Sequence, residues 1–169
     1  MTPRLRTAIS AALVFAMFAL SGGATGADCV LNTNPACANA INLGTVSGDA
    51  ATPGITRSGT GEAFFKVYVQ ETSSAHPRPL NARVVLQVPD KTDYDLVVRC
   101  ASCASTVTQM SKAGVAKAEV IHVTRADTFA DNSYWIVIEV RHYAGIGCGN
   151  WLLTINGNSP ATQGALACT

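Results

Sequence analysis

Past residue 27 the chain has no stretch in which apolar residues recur at every third or fourth position, so helices of useful length, and helical folds with them, are excluded. Charged residues make up only 14% of the sequence and its basic residues stand singly, which leaves no electrostatic footprint for nucleic acid or an anionic membrane. Catalytic signatures are missing as well. Ser58-Gly59-Thr60-Gly61 is a turn signal without the Gly-x-Ser-x-Gly nucleophile pattern, and no glycine-rich loop leads from a strand into a helix to cradle phosphate. His76, His122 and His142 are joined to no partner motif and read as solvated or structural residues. Together these absences favour a binding or accessory protein over an enzyme.

Long apolar runs are also missing, with one exception. Arg4 and Arg6 precede the run Ala8 to Leu20, and the small-residue stretch Ser21 to Ala27 follows it. That order is the pattern of a secretory signal peptide, with cleavage expected after Ala27, and the run is too short for a stable membrane span. Loss of residues 1–27 would remove Arg4 and Arg6 and take the formal net charge from +1 to −1. The remaining 28–169 is the length of one domain able to bury its own core. The expected location is secreted or periplasmic, with no membrane span after signal cleavage.

All six cysteines, Cys29, Cys37, Cys100, Cys103, Cys148 and Cys168, fall after that leader, and an even number in an exported chain favours disulfides. The expected pairing joins Cys148 to Cys100 or Cys103, with Cys29–Cys37, or one of these with Cys168, taking up the remainder. Zinc held by Cys100, Cys103, His142 and Cys148 has acceptable ligand types, but export favours disulfide over thiolate.

What the chain does have is two-residue alternation, the period of a strand whose side chains point to opposite faces in turn. After an irregular segment at 28–40, Ile41 to Asp49 reads as a first strand ending at a Gly-Asp turn. Glu62 to Glu71 sets Ala63, Phe65, Val67 and Val69 against Phe64, Lys66, Tyr68 and Gln70. Leu80 to Val88 alternates in the same way, so a β-meander with the preceding strand is expected. Asp93 to Cys100 puts Tyr94, Leu96, Val98 and Cys100 on the core side and Asp93, Asp95 and Arg99 on the other. Ala116 to Arg125 alternates more weakly. Tyr134 to Tyr143 places Tyr134, Ile136, Ile138 and Val140 inward and Trp135 outward, and a hairpin loop carrying Cys148 is expected to lead into Asn150 to Ile155. The domain so read spans 41–158, with a tail at 159–169 that Cys168 can tie down. The fold class is all-β: a jelly-roll-like antiparallel β-sandwich of about eight strands, reinforced by disulfides.

Four stretches in order, Asn42-Leu43-Gly44-Thr45-Val46-Ser47-Gly48, Phe64-Phe65-Lys66-Val67-Tyr68-Val69, Asp93-Tyr94-Asp95-Leu96 and Asn150-Trp151-Leu152-Leu153-Thr154-Ile155, resemble the bacterial pre-peptidase C-terminal domain over roughly residues 40–158. The resemblance implies a jelly-roll-like sandwich with no catalytic role of its own, in a family usually appended to secreted peptidases, some of whose members bind calcium or an extracellular polymer such as collagen. The chain departs from that setting in having no peptidase domain within its length. Cys100, Cys103 and Cys148 are additional to the family pattern.

Three groups of residues are candidates for function. Asp90, Asp93 and Asp95 supply hard oxygens of the kind calcium prefers, with Asp93 and Asp95 about 7 Å apart on one face of a strand; the plainer reading is a turn cap at Asp90 and an Asp95 that pairs with Arg99 or hydrogen-bonds a neighbouring loop. Phe64, Tyr68 and Trp135 would form an outward aromatic surface of the kind that stacks on sugars or anchors a protein partner; the plainer reading is a face covered by a loop or by the edge of the other sheet. Cys100 and Cys103 have the spacing of a thiol–disulfide oxidoreductase, yet they end a strand and do not start a helix, where the dipole would lower the thiol pKa. The expected function is a non-catalytic secreted module that binds an extracellular polymer, a protein or calcium. The alternatives are a thiol–disulfide oxidoreductase and a purely structural envelope protein.

Overall fold

Strands with alternating apolar and polar residues form the inner walls of the domain, because each can bury its apolar face only by meeting another sheet. A computed structural model describes residues 36–73, 77–128, 130–145 and 149–169. The leader segment, Cys29, His76 and Cys148 lie outside the described residues. After a single 3-10 turn at Cys37–Asn39 come β1 (Ile41–Ser47), β2 (Ile55–Gly59), β3 (Ala63–Gln70), β4 (Leu80–Gln87) and β5 (Thr92–Cys100). Then follow β6 (Thr108–Ser111), β7 (Glu119–Arg125), β8 (Tyr134–Gly145), β9 (Trp151–Gly157) and β10 (Leu166–Ala167).

The strands make two five-stranded sheets, ordered β1-β3-β8-β5-β6 and β10-β7-β4-β9-β2. Packed face to face they form the expected all-β sandwich. Ten strands are described where about eight were expected, and both sheets are mixed: β1 runs parallel to β3, and β10 parallel to β7. The core lies between the sheets. Phe65, Val67 and Val69 of β3, Leu96 and Val98 of β5, and Ile136 and Ile138 of β8 meet Val84 and Leu86 of β4, Ile121 and Val123 of β7, and Leu153 and Ile155 of β9. Burying side chains of this size contributes about 1.5–3 kcal/mol each. Phe65 and Trp151 meet edge to face across the sandwich, with ring centroids 5.9 Å apart.

Connectivity differs from expectation in two places. The strands at β3 and β4 are not a meander, because β3 pairs with β1 and β8 while β4 pairs with β7 and β9 in the opposite sheet. The passage from β8 to β9 is likewise no hairpin but a crossing from one sheet to the other. Alternation decides which side chains face inward, and both arrangements satisfy it; the pairing partner is decided by packing between distant strands.

The segment Gly44 to Gly48 stitches the sheets together. Gly44, at φ +105°, takes a backbone conformation that side chains disfavour, at the irregularity in the β1–β3 pairing, and its amide is held by the Asn42 side chain at 3.0 Å. Gly48 donates its amide to Gln70 of the first sheet and accepts from Asn81 of the second; a Cβ there would lie 2.7 Å from Leu80 Cβ. Among the described residues two disulfides close the ends, Cys37–Cys103 and Cys100–Cys168. These pairs correct the expectation that Cys148 bonds Cys100 or Cys103, since both have other partners, and they also exclude Cys29–Cys37. Sequence spacing carries no information about which strand ends coincide, and here β10 lies on β7 with Cys168 beside the end of β5.

Candidate functional site

The outward face of the first sheet carries most of the polar and aromatic residues singled out from the sequence. On β3 these are Phe64, Lys66 and Tyr68, and on β8 they are Trp135, Glu139 and Arg141. Central strand β5 contributes Asp93, Asp95 and Arg99. Antiparallel register brings Tyr68 opposite Trp135, Phe64 opposite Glu139, and Asp95 opposite Arg141. The face therefore reads along the strands as an aromatic end, a charged middle and an acidic end.

At the aromatic end the Tyr68 and Trp135 rings lie 5.0 Å apart and tilted by 46°. Lys66 places its ammonium 5.4 Å from the Trp135 ring centroid, within cation–π range. Trp135 is 36% exposed while Phe64 and Tyr68 are half-buried. The second tryptophan, Trp151, is buried in the core and donates its indole proton to Gly61 O at 2.9 Å. The charged middle is an ion-pair ladder in which Glu139 takes Arg99 on one side and Arg141 on the other, both at 2.7 Å. Arg99 is thus engaged by Glu139, not by Asp95 as the plainer reading of the sequence had it.

The acidic end is a cavity of about 220 Å³ lined by Asp93, Asp95, Lys112, Gly114 and Tyr143. Burial pushes the Asp95 carboxyl above its ordinary range and the neighbouring Asp93 adds to that, while Lys112 and Arg141 act against it. Asp93 is only 8% exposed, and its Oδ1 has no hydrogen-bond partner among the described residues. The opposite wall is held in place by a carboxylate behind it. Glu119, fully buried at the start of β7, accepts from Ser111 Oγ at 2.5 Å and from the Ala113 amide at 2.6 Å, gripping Lys112 from both sides in sequence. The Ala116 amide then donates to Thr92 O at 3.0 Å, fastening the same loop to the start of β5.

Asp90 is not gathered with the other two aspartates. Among the described residues no group of three or more His, Cys, Asp and Glu side chains is placed to hold a metal ion. Cys100 and Cys103 are bonded to different partners and not to each other, so the C-x-x-C spacing here does not close the ring that a dithiol oxidoreductase cycles. The same bonds withdraw two of the four candidate zinc ligands. His142 packs against Tyr94 with centroids 5.2 Å apart.

Sequence reasoning missed Lys66, Lys112, Gly114 and Tyr143. Parity alone puts Lys66 on the outer face, and its contact with Trp135 follows only from the β3–β8 register. Lys112 and Gly114 lie in a Ser/Thr/Ala-rich stretch with no pattern to place them. No described helix is long and apolar enough to cross a membrane. No protein-family model matches the chain, and no curated protein is found to be similar to it.

Proposed function

We propose that this protein is a non-catalytic, exported binding module, related in plan to the pre-peptidase C-terminal domain, and that its ligand is an extracellular polysaccharide laid across the outer face of the first sheet. The observation that carries this reading is the Tyr68–Trp135 pair with Lys66 beside it, because a second large aromatic surface is kept in solvent while Trp151 is used for the core. Ring faces stack on the apolar faces of sugars, and the flanking Lys66 and Gln70 supply donors for hydroxyl or carboxylate groups. Export is supported by the leader pattern and by disulfides, which persist in oxidising compartments.

Intrinsic fluorescence tests the reading, since only Trp135 of the two tryptophans is open to solvent. Titration with soluble neutral and acidic polysaccharides is expected to shield Trp135 from acrylamide quenching, and Trp135→Ala is expected to lose more than about 1 kcal/mol of binding, as truncation of an aromatic anchor does. A panel in which no polysaccharide alters the quenching, or in which Trp135→Ala binds as well as the parent, overturns it.

A further inference from the structure

The two described disulfides differ in access, the property that decides which of them can exchange. Cys100 is 5% and Cys168 4% exposed, whereas Cys103 is open to solvent in the turn after β5 and Cys37 is half-buried. Exchange begins when a thiolate attacks one sulfur of the bond, so a thiol arriving from solvent meets Cys103 first. Cys100 and Cys168 can be reached only when the end of β5 or the strand β10 opens.

The exposed bond also holds a strap. Cys37 lies beside Cys103 at the β5–β6 connection, with Cα atoms 5.8 Å apart, and a few residues later Ile41 is in β1 opposite Phe65. Strands β8 and β3 stand between those two places in the sheet. Four residues reach at most about 14 Å, which is too little to go round the end of β3, since that strand runs on from Phe65 to Gln70. The inner face is filled by the core, so the segment 37–40 crosses the outer face, where its 3-10 turn packs on β3. Val137 of β8 agrees with a cover at this place: its parity is outward, between Trp135 and Glu139, yet it is only 4% exposed. No residue of Cys37–Asn39 is itself buried, and the backbone hydrogen bonds described for the turn, from Asn39 to Ala36 and from Ala40 to Cys37, are internal to it.

We propose that Cys37–Cys103 is a thiol-exchange site for a dithiol reductant, and that opening it frees the 37–40 strap from the outer face of the first sheet while Cys100–Cys168 stays closed. One thiolate of the reductant bonds to Cys103 Sγ, and Cys37 leaves as a thiolate that takes up a proton. The second thiol of the reductant then attacks its own sulfur in the mixed disulfide and expels Cys103, which is protonated in turn. Two electrons pass to the protein, which gains two thiols, and the reductant departs as a disulfide. Trp135 reports the event, because its carbonyl accepts from the Ala101 amide at 2.8 Å and so joins it to the loop that carries Cys103.

Graded dithiothreitol on the native oxidised protein tests this, with iodoacetamide trapping and peptide mapping at each time. Cys37 and Cys103 are expected to be alkylated at least about tenfold faster than Cys100 and Cys168. Once they are trapped, amide exchange at Asn39 and Ala40 is expected to speed about tenfold or more and acrylamide quenching of Trp135 to rise, with exchange at Ile138 in the core unchanged. Equal rates for the two bonds, earlier opening of Cys100–Cys168, or a new Cys100–Cys103 peptide overturns the proposal. So does selective opening that leaves either the strap amides or Trp135 as they were. The paired variant Cys37→Ser, Cys103→Ser reaches the open state without reductant; should it fail to fold, the trapped parent protein carries the same measurements. No polysaccharide enters the test, so the sugar-binding reading stands or falls by its own experiment.

Discussion

Tyr94 and Trp151 belong to different sheets and grip the same residue: the Gly61 amide donates to Tyr94 Oη at 3.0 Å, and the Trp151 indole donates to Gly61 O at 2.9 Å. Gly61 lies where the chain crosses from β2 in the second sheet to β3 in the first, so the two side chains fix the position of that crossing. Tyr94→Phe leaves the Gly61 amide buried without its acceptor and is expected to cost about 1–2 kcal/mol. Trp151→Phe removes both a donor and core volume, at about 2–4 kcal/mol. Because both act on one residue, urea denaturation of the double variant should show a loss smaller than the two single losses together.

The acid response is expected to come from two aspartates with opposite shifts. Burial works to raise the Asp49 carboxyl, but the amides of Thr72 and Ser73 and the hydroxyls of Thr72 and Ser47 outweigh it and hold the pKa below the ordinary value. Its stabilisation is therefore full above the unfolded carboxylate pKa of about 3.9 and is lost as pH falls through the lower native value. Asp95, held above its ordinary value mainly by burial, does the reverse and relieves strain as it takes up a proton. Asp49→Asn should cost about 1–3 kcal/mol at neutral pH and flatten the acid limb of a stability–pH curve. Asp95→Asn should raise neutral-pH stability, and a lowered midpoint at neutral pH would refute this.

Peptide mapping under non-reducing conditions should recover Cys37 linked to Cys103 and Cys100 linked to Cys168. The bonds span 66 and 68 residues, for which the chain-entropy model gives about 4 kcal/mol each. Replacing Cys100 and Cys168 with alanine should also speed amide exchange in β10, a strand of two residues with little else to hold it.

Glu119→Gln exchanges an ionised acceptor for a neutral amide behind the loop that carries Lys112. A loss of about 1–3 kcal/mol is expected, as for a buried charge-assisted hydrogen bond, with faster amide exchange at Ala113. Unchanged exchange at Ala113 would show that the loop is held by other contacts.

The inward faces of β3, β4, β5 and β8 were legible because strict alternation leaves no other way to bury Phe65, Val84, Leu96 or Ile138. Strands β2, β6 and β10 were not, because Ile55-Thr56-Arg57-Ser58-Gly59 and its counterparts lie at sheet edges, where few apolar side chains are needed. The candidate surfaces were half legible. Trp135 and Tyr68 carry their outward assignment in their parity, but their contact depends on a register that links residues 67 positions apart in the chain. Parity sends Asp93 and Asp95 to the outer face but carries no sign of the Lys112–Gly114 loop beside them, whose course depends on a glutamate in the next strand.

The Cys100–Cys168 bond also depends on the last strand. Five strands, β6 to β10, lie between its two sulfurs, and in the native fold Cys168 is held beside Cys100 by the pairing of β10 with β7. The folded sandwich therefore favours this pairing over others, and it does so only when β10 is in place. A chain made only as far as β9 lacks the cysteine that seals this end of the sandwich.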